Sequence, residues 1–106
     1  MKIINLTPHT INIVNEENKI TRTIESSGIV RLSQETKVSG KIDGVTISES
    51  IFGQSEGLPG SELGIFYVVS RLVLAAHPER DDLLVPNELV RDEKGRILGC
   101  RSLAIN

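Results

Sequence analysis

KVSGKIDGVTISESIF, residues 37–52, decides the fold class. Asp43-Gly44 stands between two alternating runs, and Asp-Gly favours the left-handed backbone of a type I′ turn, so the stretch predicts a tight β-hairpin. Past the turn Val45, Ile47, Glu49 and Ile51 fall on one side, as strand geometry requires. Working outward toward the N-terminus, IVRL (29–32) reads as a short strand, preceded by an ESSG loop at 25–28. ITRTI (20–24), TINIVN (10–15) and KIINL (2–6) are three more strands rich in Ile and Thr or Val, with NEENK (15–19) as a polar turn. Between the first two strands stands LTPH (6–9), where a proline without an N–H must interrupt the ladder.

Toward the C-terminus, GQSEGLPGSELG (53–64) reads as a twelve-residue loop, long enough to be functional or to order on assembly. IFYVVS (65–70) is a continuous apolar run, the pattern of a strand buried on both faces. One helix is expected over 70–77, capped by Ser70 and ended by Pro78, with Leu72, Val73 and Ala76 on its apolar face. LLVP (83–86) reads as a short strand, and ELVRD-EKG-RILGCRSLAI as a second hairpin turning at Asp92–Gly95. The expectation is a single domain over residues 1–106, α+β and mostly β: a small antiparallel, hairpin-rich domain with one short helix.

Composition narrows the function classes. A chain of 106 residues supports one small core, and with only Phe52, Phe66 and Tyr67 as aromatics that core must be built from Ile, Val and Leu. A net charge of −2 supplies no field that would draw the protein onto nucleic acid, and the scarcity of stacking platforms argues against single strands. The single cysteine, Cys100, excludes an intrachain disulfide and fits a reducing compartment, so a cytoplasmic location is expected. No stretch has the length of a membrane-spanning helix, and no secretory leader is recognised.

No catalytic signature stands out. His9 offers a general base or a phosphate donor, against the plainer role of a polar residue in a turn. His77 with Glu79, Asp81 and Asp82 raises a metal site, but ligands crowded within six residues fit a solvated helix end better, so neither metal nor cofactor is expected. Cys100, in an apolar-leaning strand, reads as a buried structural cysteine. The arginines carry the chemistry: five of the seven (Arg71, Arg80, Arg91, Arg96 and Arg101) lie in the last 36 residues. A guanidinium fork matches phosphate, and the alternative for each is pairing with a neighbouring carboxylate, as in Arg80 with Asp82.

LTPHTINI (6–13), YVVSRLV (67–73), ERDDLLVP (79–86) and the ending VRDEKGRILGCRSL (90–103) resemble a family of small phage and prophage proteins, matching in order through most of the chain. That context implies an analogy with phage inhibitors of anti-phage defence, among them sponges that sequester nucleotide-derived immune signals in the Thoeris and CBASS systems. The expected function is therefore a non-enzymatic protein that sequesters a small phosphorylated ligand, a cyclic nucleotide or a cyclised ADP-ribose. Arg71, Arg80, Arg91 and Arg101 are expected on phosphates, with Ser70 at the helix start, His9 and Asn87 on ribose or base edges, and Tyr67 as a stacking surface. A homo-oligomer with the pocket between subunits, closed by the 53–64 loop, is the expected assembly. Two other readings stand beside it: a phage structural or protein-interaction module without a small ligand, and a hydrolase of a nucleotide signal with His9 or His77 as base.

Overall fold

The structure, a computed structural model, describes residues 1–105. These form strands β1 (Lys2–Asn5), β2 (Ile11–Val14), β3 (Ile20–Ile24), β4 (Arg31–Ile42), β5 (Val45–Glu56), β6 (Ile65–Val68), β7 (Leu83–Arg91) and β8 (Ile97–Ile105), with one helix, α1 (Arg71–Ala76). β4 and β5 make a two-stranded ribbon, and the other six make one sheet in the order β1-β6-β7-β8-β2-β3. The domain is mostly β with one short helix, as the pattern predicts, and β2-β3, β4-β5 and β7-β8 are antiparallel hairpins.

Three pairings are parallel, namely β1-β6, β6-β7 and β2-β8. They explain the apolar run at 65–70, because β6 is covered on both faces. Tyr67 and Val69 point into a cluster with Leu6, Val30, Val73, Leu83 and Val85, beneath α1. Val68 points the other way, against Ile11, Ile24 and Cys100. A parallel bridge between Asn5 and Ser26 brings the segment after β3 alongside β1, so the outer strands meet at one end and the sheet curls around this second cluster.

Two boundaries differ from the sequence reading. The strand at 29–32 does not stop: β4 runs from Arg31 to the turn, and β5 continues through Glu56, so the connecting loop is 57–64 and not 53–64. The ladder of the long hairpin carried on because its alternating polar residues suit a ribbon exposed on both faces, a case in which no apolar pattern marks the end. Likewise β7 is one strand through Pro86, where a separate 83–86 strand was expected. The Asp43-Gly44 turn is as predicted, with φ of +51° and +77°.

Candidate functional site

Asn5 explains the LTPH interruption. Its side chain is fully buried. Nδ2 donates to the carbonyls of His9 (2.7 Å) and Ile24 (3.1 Å), while Oδ1 accepts from the Thr7 backbone N–H (3.0 Å) and hydroxyl (2.7 Å). The Ser26 hydroxyl adds a bond to the Thr7 carbonyl at 2.6 Å. The loop is thus held in one shape from beneath, with its proline outward and the His9 ring exposed.

That loop forms one wall of a cleft of about 610 Å³. Thr7–Asn12 face Val69, Ser70 and Arg71 at the start of α1, and Pro86, Leu89 and Ile97–Cys100 of the β7-β8 hairpin complete the lining. The cleft opens at the carboxyl ends of the parallel strands β1 and β6, where chain segments diverge and leave room for a ligand. Its walls are mainly apolar, with Leu89 and Ile97 more than half exposed at the rim. Arg71 supplies a permanent cation, and among the described residues no carboxylate lines the cleft. The Arg71 guanidinium touches only the carbonyl of Pro86, at 3.4 Å, which leaves most of its donors for a ligand.

Of the residues singled out in the sequence, His9, Ser70 and Arg71 come together here. The Ser70 hydroxyl already caps α1, accepting from the Val73 N–H at 3.3 Å. The others lie elsewhere. Tyr67 is 4 % exposed inside the core, so it offers no stacking surface: β6 is central in the sheet and its odd positions face inward. Arg80 forms a fork on Asp82 (2.8 Å to each oxygen) and reaches the Pro59 carbonyl (3.0 Å), past the far end of α1. Asn87 faces the Ser102 hydroxyl at 3.4 Å. Arg91 bonds the Gly95 carbonyl (2.9 Å), and Arg101 ties β8 to the β2-β3 turn through the Asn15 carbonyl and Asn18 Oδ1. The arginines do not converge, because Arg71 starts α1, Arg80 lies in the turn beyond it, and Arg91 and Arg101 sit on β7 and β8 with partners of their own. The 57–64 loop leads into the start of β6, at the opposite end from the cleft, and cannot close the cleft of its own chain.

Cys100 is buried as expected, and that burial pushes its thiol above the ordinary value. Asp82 is held below the ordinary carboxylate value by the Arg80 fork, so this acid is committed within the chain. Among the described residues no three His, Cys, Asp or Glu side chains are grouped to hold a metal ion.

A second constellation was not legible in the sequence. His77 Nε2 lies 2.7 Å from the Ser55 hydroxyl, and its Nδ1 lies 3.1 Å from Glu79 Oε1. The Glu79 carboxyl is kept below its ordinary value by its own backbone N–H and then by the His77 ring. Serine, imidazole and carboxylate in this order form the relay of hydrolytic enzymes. Ser55 and His77 are 22 residues apart and belong to different elements, so only the fold reveals the contact.

No family model, curated protein or solved structure matches the chain.

Proposed function

We propose that the protein binds and sequesters a small phosphorylated ligand of cyclic-nucleotide or ADP-ribose type in this cleft, releasing it unchanged. One observation carries the reading: a mainly apolar cleft with the Arg71 cation in its lining and, among the described residues, no carboxylate. Its volume of about 610 Å³ falls within the range of small-molecule sites. The apolar wall of Leu89, Ile97 and Leu98 suits the flat face of a base, Arg71 suits phosphate, and His9 and Asn12 suit ribose or base edges. The test is calorimetric titration, with native mass spectrometry, against cyclic nucleotides and cyclised ADP-ribose. Arg71→Ala is expected to weaken binding about tenfold or more, while Arg101→Ala, remote from the cleft, leaves it unchanged. Failure of the whole panel to bind, or indifference to Arg71→Ala, overturns the reading.

A second reading has its own support in the Ser55–His77–Glu79 contacts, which favour a hydrolase. In that reaction Ser55 Oγ bonds to the substrate's acyl carbon as its proton passes to His77 Nε2. The proton then leaves with the departing group, and water, deprotonated by the same nitrogen, frees the serine. Covalent labelling of Ser55 by a fluorophosphonate probe, lost in Ser55→Ala and His77→Gln, supports it. Absence of labelling leaves these contacts as a fastening between β5 and the end of α1.

A further inference from the structure

The β4-β5 ribbon stands out from the body. Every residue from Ser33 to Gln54 is exposed, and the radius of gyration, 16.7 Å, exceeds the roughly 13 Å of a compact chain of this length. A two-stranded ribbon alone is marginal in water. Its faces also differ in chemistry. The cross-strand partners Ile42–Val45, Gly40–Ile47, Lys37–Glu49 and Glu35–Ile51 share one face, since residues directly opposite in an antiparallel pair point the same way. The other face carries Lys41–Thr46, Val38–Ser48, Thr36–Ser50 and Gln34–Phe52 and is largely polar. The first face exposes Ile42 (67 %), Val45 (61 %) and Ile51 (47 %).

We infer that this face pairs with the same face of a second copy of the chain, about a two-fold axis running along the ribbon. The argument is self-complementarity. Such an axis lays each strand over the other type of strand in the partner. Ile42 then meets Val45 of the partner subunit, and Lys37 meets Glu49 of the partner subunit. Gly40, with open space above it, receives Ile47 of the partner subunit. Three of the four pairs match, apolar on apolar, charge on opposite charge and a large residue on a notch, while Glu35 meets Ile51 of the partner subunit at the end nearest the body. An axis across the ribbon at the level of Lys37 instead sets Lys37 over its own copy, which like-charge repulsion disfavours. Edge-to-edge pairing is opposed by the β4 irregularity between Val38 and Gly40 and by the lysines there. About ten residues per strand give a contact of roughly 300 Å² in projection per partner. That is small beside the approximately 800 Å² of a standard interface, so the dimer is reversible and concentration-dependent.

Sedimentation equilibrium of the full chain over micromolar to millimolar concentrations tests this. The mass is expected to rise from 11.6 kDa toward twice that value. Ile47→Asp, at an exposed position whose change leaves the body's circular dichroism intact, is expected to weaken association about tenfold or more. Lys37→Glu and Glu49→Lys each abolish self-association alone, and mixing the two variants restores the dimer mass. A protein monomeric throughout, an Ile47→Asp variant that associates as well as the parent, or a mixture that stays monomeric overturns the inference.

Discussion

Replacing Asn5 by leucine, close to it in size, tests whether one buried amide builds the cleft wall. Asn5 makes four hydrogen bonds from a fully buried position, to His9, Ile24 and twice to Thr7. Leucine makes none, and it removes the Asn5 partner of the Ile24 carbonyl and of the Thr7 N–H, while the Thr7 hydroxyl still reaches the His9 carbonyl at 3.1 Å. At about 1 kcal/mol net for each bond the loss is about 4 kcal/mol. For a domain near 100 residues, every kcal/mol moves the midpoint by about 4–8 °C, so Tm falls by about 16–32 °C. Urea unfolding followed by circular dichroism gives the free energy directly, and an unchanged m value shows that the native state keeps its extent. The same variant frees Thr7–His9, so ligand affinity should fall even at temperatures where the protein stays folded. A loss under about 1 kcal/mol refutes the reasoning, for it means the loop is held by something other than Asn5.

Three further outcomes follow from particular contacts. The Arg80–Asp82 fork is mostly buried, so Asp82→Asn should destabilise by about 3 kcal/mol in chemical denaturation. Asp82's folded value lies below its unfolded one, so the stability it contributes is fully present above the ordinary carboxylate range. That stability is lost as pH falls through the depressed value, and the acid limb of the stability–pH curve should flatten in Asp82→Asn. At Gly99 a Cβ would lie 2.5 Å from the Asn12 carbonyl oxygen, so Gly99→Ala must push β2 from β8. A loss of about 1–3 kcal/mol is expected, together with weaker ligand binding, and calorimetry reads both. Gly44, at φ +77° with open space around it, should cost about 1–2 kcal/mol of ribbon stability as alanine through backbone strain alone. Faster amide exchange confined to residues 33–54 is the signature.

Elements with a local cause were legible in the sequence. Asp43-Gly44 set its turn, Ser70 capped α1, and the unbroken apolar run announced a strand covered on both sides. What sequence could not supply was the order of strands. Parallel pairing of β1 with β6, and of β2 with β8, joins segments with no local signal for one another. That order decides which arginines meet, so Arg71 was placed with His9 only by the fold, while Arg80, Arg91 and Arg101 went to other tasks. Tyr67 as a stacking surface ran against that apolar run, which already placed it in a strand covered on both faces, and its burial follows the run. The apolar wall of Leu89, Ile97 and Leu98 had one readable trace: large apolar residues on a hairpin that also carries several charges.

The strand order also governs how the chain can fold as it is made. β8, the strand formed latest in chain order, lies inside the sheet, between β7 and β2. Until the part of β8 around Cys100 emerges, the β2-β3 hairpin has no neighbour on its inner side and the cluster of Ile11, Ile24 and Val68 stays open. Synthesis at about 5–20 residues per second therefore leaves apolar strands waiting for seconds. The long ribbon needs only its own turn and can zip within microseconds. The ribbon, marginal by itself, then forms and opens repeatedly while the cleft, which needs β8, closes last. In a pulse-labelled nascent chain, Thr7–Asn12 should become protected from protease only once β8 has emerged.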